Sequence, residues 1–353
     1  LDWTTEVDAK QVSPTHGPLS PGKIVAAVQQ AGVAMLTTFI RGESWHAVLI
    51  RPDGALSLHT LGTLSAITGR IQAVQADLNV AARVQPNHPL HHAIRSSLAQ
   101  RLVEIDEALL APLTSEGLGA SPLVVVPTPV LSLVPWGMLP SRRGRATTVA
   151  RSATMWGRRH THLTDLPQVW AGAGPDVPLA DGEVSAVVDA WGAGLAVPAA
   201  ACTTEVLMGA FEQADLVHVA AHGEHHTRNP LFSSLRLDDG SLFAHEIEGR
   251  RLRASHVVLS ACESGRISVR RGEEALGMTA SLLALGVGTV IAAGSPIPDA
   301  IAHAVMGDYH RQLAGGVDAA TALASATADG DVLGAAFTCF GSSWRYSPPH
   351  AAT

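Results

Sequence analysis

The chain has 353 residues, enough for one large core with an elaboration, and its 46 % hydrophobic and 16 % charged residues exclude extensive disorder. A formal charge of −7, with only Lys10 and Lys23 as lysines and no basic stripe, excludes a nucleic-acid-binding surface. Three cysteines without paired spacing, Cys202, Cys262 and Cys339, point to a reducing compartment, the cytoplasm, and give no zinc pattern.

Residues 1–22 are polar and proline-containing and read as a tail or linker. Leu1 stands where methionine would open a whole protein and no signal peptide follows it, so a fragment of a longer chain is expected. Within the tail, Gly17-Pro-Leu-Ser-Pro-Gly-Lys23 has the spacing of a phosphate-binding loop. Pro18 and Pro21 lack the N–H groups a phosphate needs, Ile24 replaces the magnesium-binding hydroxyl, and no strand precedes it. It is a decoy.

Residues 23–120 form an N-terminal elaboration. A helix over Lys23–Gly32 leads to strands over Val33–Ile40, Ser44–Ile50 and, after the turn Arg51-Pro-Asp-Gly54, Ala55–Leu61. Helical periodicity over Leu64–Val84 and His91–Leu110, broken by Pro86–Pro89, predicts a hairpin of two helices. Residues 121–345 then alternate strand and helix, and 346–353 are a C-terminal tail. Strands are expected near Leu123–Pro127, Val169–Gly172, Asp215–Ala221, His256–Ala261, Val287–Ala293 and Ala335–Phe340. Helices are expected near Gly182–Trp191, Thr204–Gln213, Glu273–Leu285, Ala300–Leu313 and Asp318–Ala328. This alternation defines an α/β fold with a mostly parallel sheet sandwiched by helices. The charge-free span Ala275–Pro298 has the length of a membrane helix, but Gly286, Gly288 and Gly294 divide it into helix, turn and buried strand. The chain reads as soluble, without membrane or nucleic-acid partners.

Two of the strands carry the chemistry. Leu216-Val-His-Val-Ala-Ala-His-Gly223 and His256-Val-Val-Leu-Ser-Ala-Cys-Glu-Ser-Gly265 are both apolar runs that end in a reactive side chain followed by glycine. Ligands of open α/β sheets collect outside the carboxyl ends of the strands. A crossover between the two strands places the His222 imidazole and the Cys262 thiol in one crevice. A thiol is mostly protonated at neutral pH, and an adjacent imidazole turns it into a nucleophile. The N–H groups of Gly223 and Cys262 are candidate oxyanion donors. A buried structural cysteine and a satisfied core histidine form the competing reading of either residue taken alone.

Other constellations are weaker. His218, His222, His225 and His226 suggest a metal, but there is no HExxH and no carboxylate at ligand spacing except Glu224 on a loop. Gly172-Ala-Gly174 lacks the third glycine of a dinucleotide fingerprint, Val177 standing in its place, and Pro175 interrupts the helix start. No Gly-x-Ser-x-Gly elbow is present. No cofactor and no metal are expected.

His218-Val-Ala-Ala-His222-Gly223, Asn229-Pro230 with Ser233, and Leu259-Ser-Ala-Cys-Glu-Ser-Gly265 resemble the CHAT domain family, caspase-like members of the clan of caspases, metacaspases and separase. Gly272-Glu273, the run Leu282–Ile291, Asp299 and Phe337-Thr-Cys-Phe-Gly341 extend the resemblance in order. Leu123-Val-Val-Val-Pro127 and Leu133-Val-Pro-Trp136 resemble the family's first sheet strand and the loop after it, and the strands before them its antiparallel elaboration. The resemblance implies a caspase-like fold and a cysteine endopeptidase with catalytic His222 and Cys262, acting on a protein or peptide. It also implies regulation by a fused sensor or repeat region and a role in bacterial defence or signalling. The alternative is a CHAT-type interaction scaffold without peptidase activity. Metacaspases carry an acid two positions before the cysteine, where Ser260 stands here, and Gly294-Ser295-Pro296 replaces a tryptophan common in the family. Ser260, Ala261, Gly294, Ser295 and Asp299 are therefore the candidate substrate-binding residues, with an uncharged side chain preferred before the scissile bond.

Overall fold

Pro21 at the first turn and Gly32, held at φ 63°, bound the first helix, α1 (Pro21–Ala31), in the computed structural model, which describes residues 17–114, 117–224, 233–261 and 274–348. Strands β1 (Ala34–Arg41) and β2 (Ser44–Ile50) form a hairpin from Met35↔Ile50 to Arg41↔Ser44. Strand β3 (Leu56–Thr63) adds antiparallel to β2, with a register shift at Trp45/His46. Thr63 caps α2 (Leu64–Ala81) by accepting from the Ala66 N–H. Helix α3 (His91–Leu109) lies against α2, where Asp77 accepts from Ser97 Oγ and Arg101 Nε, each at 2.7 Å. This is the helical hairpin expected from periodicity. After the short α4 (Ala111–Thr114) come β4 (Leu123–Val126), β5 (Thr147–Val149), α5 (Ala153–Arg158) and β6 (His160–Leu163).

The elaboration does not stand apart. Its β1 pairs with β4 in parallel register, Ala34↔Leu123 to Thr37↔Val126, and so joins the main sheet. The composition of these strands explains why. Leu36 and Val125 belong to the main core, whereas Met35 and Val124 on the opposite face pack with Val28 of α1 and Trp156 of α5. Both faces of the strands are therefore buried, which a separate two-layer unit would not achieve.

The second half builds β7 (Val169–Ala173), α6 (Ala180–Trp191), β8 (Leu195–Val197), α7 (Thr204–Gln213) and β9 (Leu216–Ala221). A small sheet follows, β10 (Gly223–Glu224), β11 (Ser234–Leu237) and β12 (Gly240–Phe243), then α8 (Ala244–Ile247). The chain continues with β13 (His256–Ala261), α9 (Glu274–Ala284), β14 (Thr289–Ala293), α10 (Asp299–Ala314) and α11 (Ala319–Ala326). It ends with β15 (Phe337–Gly341) and β16 (Ser343–Tyr346), the latter pairing with β6. No helix among the described residues is long and apolar enough to cross a membrane.

Among the described residues the main sheet has eleven strands in the order β3-β2-β1-β4-β5-β15-β14-β13-β9-β7-β8. Beyond the antiparallel β3-β2 edge it consists of two parallel blocks. β1, β4, β5 and β15 run one way, β14, β13, β9, β7 and β8 the other, and they meet at the antiparallel pair β14/β15. The strand at Leu123 thus stands in the block opposed to β9 and β13. The three-residue β5 that links it to β15 is too short to announce itself by periodicity.

Histidines pin the covering helices to the second block. Because His256 pairs with Leu216 and Val258 with His218, the two histidines project from one face of the sheet. Trp191 Nε1 on α6 donates to His310 Nδ1 on α10 at 3.1 Å. An indole nitrogen only donates, so every later bond has one sense. His310 Nε2–H donates to His218 Nδ1 at 3.1 Å, and His218 Nε2–H donates to Glu183 Oε1 on α6 at 2.9 Å. Nearby, His256 Nδ1–H donates to the Thr289 carbonyl at 3.2 Å and Nε2 accepts from Tyr309 at 2.9 Å. These rings are buried and fully partnered, as buried polar groups must be. Burial pushes His310 well below the ordinary histidine range and Tyr309 well above that of tyrosine. Burial likewise takes His256 down to about 3, against the opposing hydrogen bond to Thr289.

A depressed histidine makes stability depend on pH with a definite sign. The native chain keeps His256 neutral while the unfolded chain takes up a proton below the ordinary pKa of about 6.5. The contribution is complete above that value and is lost as pH falls toward about 3. His256→Gln keeps a donor for Thr289 and an acceptor for Tyr309 but cannot titrate. In urea unfolding between pH 7.5 and 4.5 its stability is expected to fall less steeply than wild type, by up to about 1.4 kcal/mol per pH unit. Parallel slopes for the two proteins would contradict this.

Candidate functional site

The site lies where the second block of strands ends. β9 and β13 pair in parallel from His256↔Leu216 to Ala261↔Ala221, with no irregularity. His222 follows the last residue of one strand and Cys262 follows the last residue of the other. Cys262 lies outside the described residues, as do His225, His226, Asn229, Pro230, Glu263, Ser264, Gly265, Gly272 and Glu273.

His222 is 7 % exposed, and its Nε2 lies 2.9 Å from the backbone oxygen of Asp176. A carbonyl only accepts, so Nε2 carries the proton and Nδ1 is the basic nitrogen of the neutral ring. Asp176 sits in the segment between β7 and α6 and has φ 61°, alone among the described non-glycine residues in having a positive φ. Aspartate tolerates the left-handed region better than most residues. Arg236 on β11 touches both partners. Its backbone N–H donates to the His222 carbonyl at 2.8 Å, and its Nη2 lies 2.8 Å from Asp176 Oδ2. With side chains 47 % and 66 % exposed, such a pair adds at most about 1 kcal/mol of stability.

The same bond orients Gly223. In an antiparallel ladder, hydrogen-bonded and non-bonded pairs alternate. Since the Arg236 N–H binds the His222 carbonyl, the neighbouring pair Gly223↔Leu235 is a non-bonded one. The Gly223 N–H therefore turns away from β11. Glycine is required beneath it too. A Cβ at Gly174 would stand 2.5 Å from Ala221 Cβ and 2.8 Å from the Arg236 carbonyl oxygen. Gly174 thus serves the close approach of β7, β9 and β11, and its N–H binds the Ala220 carbonyl at 2.7 Å.

Among the substrate-site candidates, Ser260 is 3 % exposed and its Oγ has no hydrogen-bond partner among the described residues. It pairs with Ala220, two residues before His222, and so projects from the face of the sheet that carries His218. Ala261 closes β13; only its backbone is described. Leu259↔Ala292 pairing brings the end of β14 beside Ser260, and Gly294 and Ser295 follow at once. Gly294 is half-buried and Ser295 buried. Asp299 is the first residue of α10, partly exposed, where the positive end of the helix dipole favours a carboxylate. The structure therefore gathers Ser260 and the Gly294–Ser295 loop, while Asp299 has a helix start to serve.

His218, the first histidine of the metal-like string, is held by Glu183 and His310. Among the described residues no group of three His, Cys, Asp or Glu side chains gathers as a metal would require. Asp176 and Arg236 are the site residues sequence reasoning missed. Gly174-Pro-Asp176 carries a faint signal, since such triplets favour turns with left-handed residues. Arg236 in Ser-Leu-Arg-Leu carries none, reading as the outward residue of an alternating strand.

Comparison with known proteins places this geometry. Over 91 % of its length the chain resembles separase in the 3.0 Å separase–securin complex of Saccharomyces cerevisiae, with a TM-score of 0.65 and 10 % identity. A second structure of that complex, at 2.6 Å, matches over 92 % of the chain with a TM-score of 0.60 and 10 % identity. The chain spans 31 % of the length of each separase chain, and at this identity the likeness shows the fold. The fold is caspase-like. The CHAT domain model matches residues 99–329, about two thirds of the chain, and the chain belongs to the CHAT domain family. No curated protein matches it significantly.

Two cysteines stand outside this site. Cys202 is 0 % exposed and Cys339 1 %, and burial pushes both thiols up to about 12. Thiolate is the reactive form, so neither is expected to react with iodoacetamide in the native protein at pH 7.5. Peptide mass spectrometry before and after urea unfolding checks this. Rapid native alkylation of either residue would contradict the assignment of both as packing residues.

Proposed function

We propose that this CHAT domain is a cysteine endopeptidase in which His222 and Cys262 form the catalytic dyad. The observation that carries the reading is the unbroken parallel register of β9 and β13, which end level with each other one residue short of His222 and Cys262. The Nε2–H tautomer leaves Nδ1 as the base. In the first step Nδ1 removes the thiol proton as Cys262 Sγ bonds to the scissile carbonyl carbon, and the carbonyl oxygen becomes an oxyanion. The N–H groups of Gly223 and Cys262 donate to that oxygen, and the turn of the Gly223 N–H away from β11 supports its part. The imidazolium then protonates the leaving amine as the C–N bond breaks, producing a thioester. Water, deprotonated by the same imidazole, hydrolyses the thioester and restores the thiol. No cofactor or metal enters these steps.

The substrate is a protein or peptide. The floor of the pocket for the residue before the scissile bond is Ser260 and Ala261, and its wall the loop from Gly294 through Ser295 to Pro298. Each is small and neutral, and an unpaired Arg or Lys buried there would cost several kcal/mol. The pocket therefore prefers an uncharged side chain. Regulation by a fused sensor or repeat region, a cytoplasmic location and a bacterial defence or signalling role complete the proposal. They rest on the family resemblance and on three cysteines without paired spacing. Separase in the matched structures is itself bound to a protein partner, securin.

Cys262→Ala and His222→Ala are each expected to lower peptide cleavage by several orders of magnitude while leaving the circular dichroism spectrum unchanged. His222→Ala is also expected to suppress labelling of Cys262 by a peptidyl electrophile. Cleavage near the wild-type rate in either variant would remove the dyad. If neither wild type nor variant cleaves or labels, the scaffold reading replaces this one. For specificity, a peptide library is expected to be cut after uncharged residues. Cutting mainly after arginine, with the preference lost in Asp299→Asn, would contradict the pocket assignment.

A further inference from the structure

We propose that Arg236 is a positioning residue for His222, acting through Asp176. The observations form a closed ring of contacts. The His222 ring donates Nε2–H to the Asp176 carbonyl at 2.9 Å, and the Asp176 carboxylate meets Arg236 Nη2 at 2.8 Å. The Arg236 N–H returns to the His222 carbonyl at 2.8 Å. Each bond in the ring fixes the next. The backbone bond sets where β11 stands relative to the end of β9. The ion pair then draws the Asp176 side chain toward β11, and with it the orientation of a residue held at φ 61°.

That backbone conformation is the weak link. Asp176 is not glycine, and a left-handed residue in a short segment between strand and helix persists only when its surroundings hold it. The segment is exposed at Asp176, so packing does not supply the restraint. The Arg236 guanidinium does, and it is the only basic side chain recorded in an ion pair with Asp176 among the described residues. If the carboxylate is released, the Asp176 carbonyl can rotate away, and the Nε2–H tautomer of His222 loses the acceptor that selects it. A lysine at this position offers the same charge without the planar fork, so it should restore the restraint in part.

The pair also sets the local field. Among the described residues, a charged pair stands beside His222: Asp176, from the segment after β7, whose carbonyl meets the ring, and Arg236, from β11, bound to the Asp176 carboxylate. As a pair they nearly cancel. Removing the cation alone leaves a carboxylate that favours protonated states at the site, whereas removing the anion alone leaves a guanidinium that disfavours them. A residue with a purely structural role would not produce shifts of opposite sign.

The lock can be tested whether or not the endopeptidase reading, on which its catalytic consequence rests, is correct. In protein selectively labelled with 15N-histidine, with the His222 resonances assigned through His222→Ala, two-bond couplings report the tautomer directly. Wild type is expected to show the Nε2–H tautomer, Arg236→Met a mixture of the two tautomers, and Arg236→Lys a return toward wild type. An unchanged His222 tautomer in Arg236→Met, with the fold intact by circular dichroism, would overturn the lock irrespective of any activity. Where peptide cleavage is measurable, Arg236→Met is expected to lower kcat about tenfold or more, with KM within about twofold, as misplacement of a catalytic group does. The acid limb of kcat/KM is expected to move to higher pH in Arg236→Met and to lower pH in Asp176→Asn, by a few tenths of a unit each. Shifts of the same sign, or a loss confined to KM, would overturn the positioning role. Wild-type activity that survives Cys262→Ala would instead overturn the dyad and leave the tautomer result standing.

Discussion

The parallel ladder between β9 and β13 is the constraint on which the rest depends. Six consecutive pairs without a bulge fix how far each strand runs, and so set Ala221, just before His222, and Ala261 at one level. A shift of one residue in either strand would turn its last side chain to the opposite face. The ladder is protected against that slip by what is buried on its faces. His218 and His256 reach Glu183, His310 and Tyr309 from one face only, and a slipped register would leave these polar groups buried without partners. The buried histidines His218 and His256 thus act as a register device for the ladder that ends just before His222.

Much of this was legible in the sequence for a physical reason. Strands buried on both faces are largely apolar, so the strands expected over Asp215–Ala221 and His256–Ala261 stand at Leu216–Ala221 and His256–Ala261. Helix Thr204–Gln213 was legible to the residue because Thr203 accepts from the Val206 N–H as an N-cap should. What was not legible was pairing between distant segments. Nothing local in Ala34–Thr37 says that it pairs with Leu123–Val126, and Thr147–Val149 has only three residues with which to signal the strand that joins the two blocks. The elements of the elaboration were legible, but not that its β1 would extend the main sheet.

The site divided in the same way. His222, Gly223 and Ser260 were singled out as candidates because the strand ends they stand at are legible. Asp176 and Arg236 were missed because their importance lies in one carbonyl and one ion pair, which no residue type announces. The glycines at 172 and 174 show the converse. A nucleotide fingerprint and a tight strand crossing use the same residue, and only the neighbours, Ala221 and Arg236 against Gly174, tell them apart. CHAT membership and the separase-like fold define the family and the architecture, while the details of geometry at this site belong to this chain.

The most direct test of the account is a crystal structure of the protein bound covalently to a peptide aldehyde. A bond from Cys262 Sγ to the aldehyde carbon is expected, with the hemithioacetal oxygen accepting from the Gly223 and Cys262 N–H groups. His222 Nδ1 should face the sulfur while Nε2 stays on the Asp176 carbonyl. An adduct on another residue, or a His222 ring turned away from Cys262 with Nδ1 on Asp176, would contradict it.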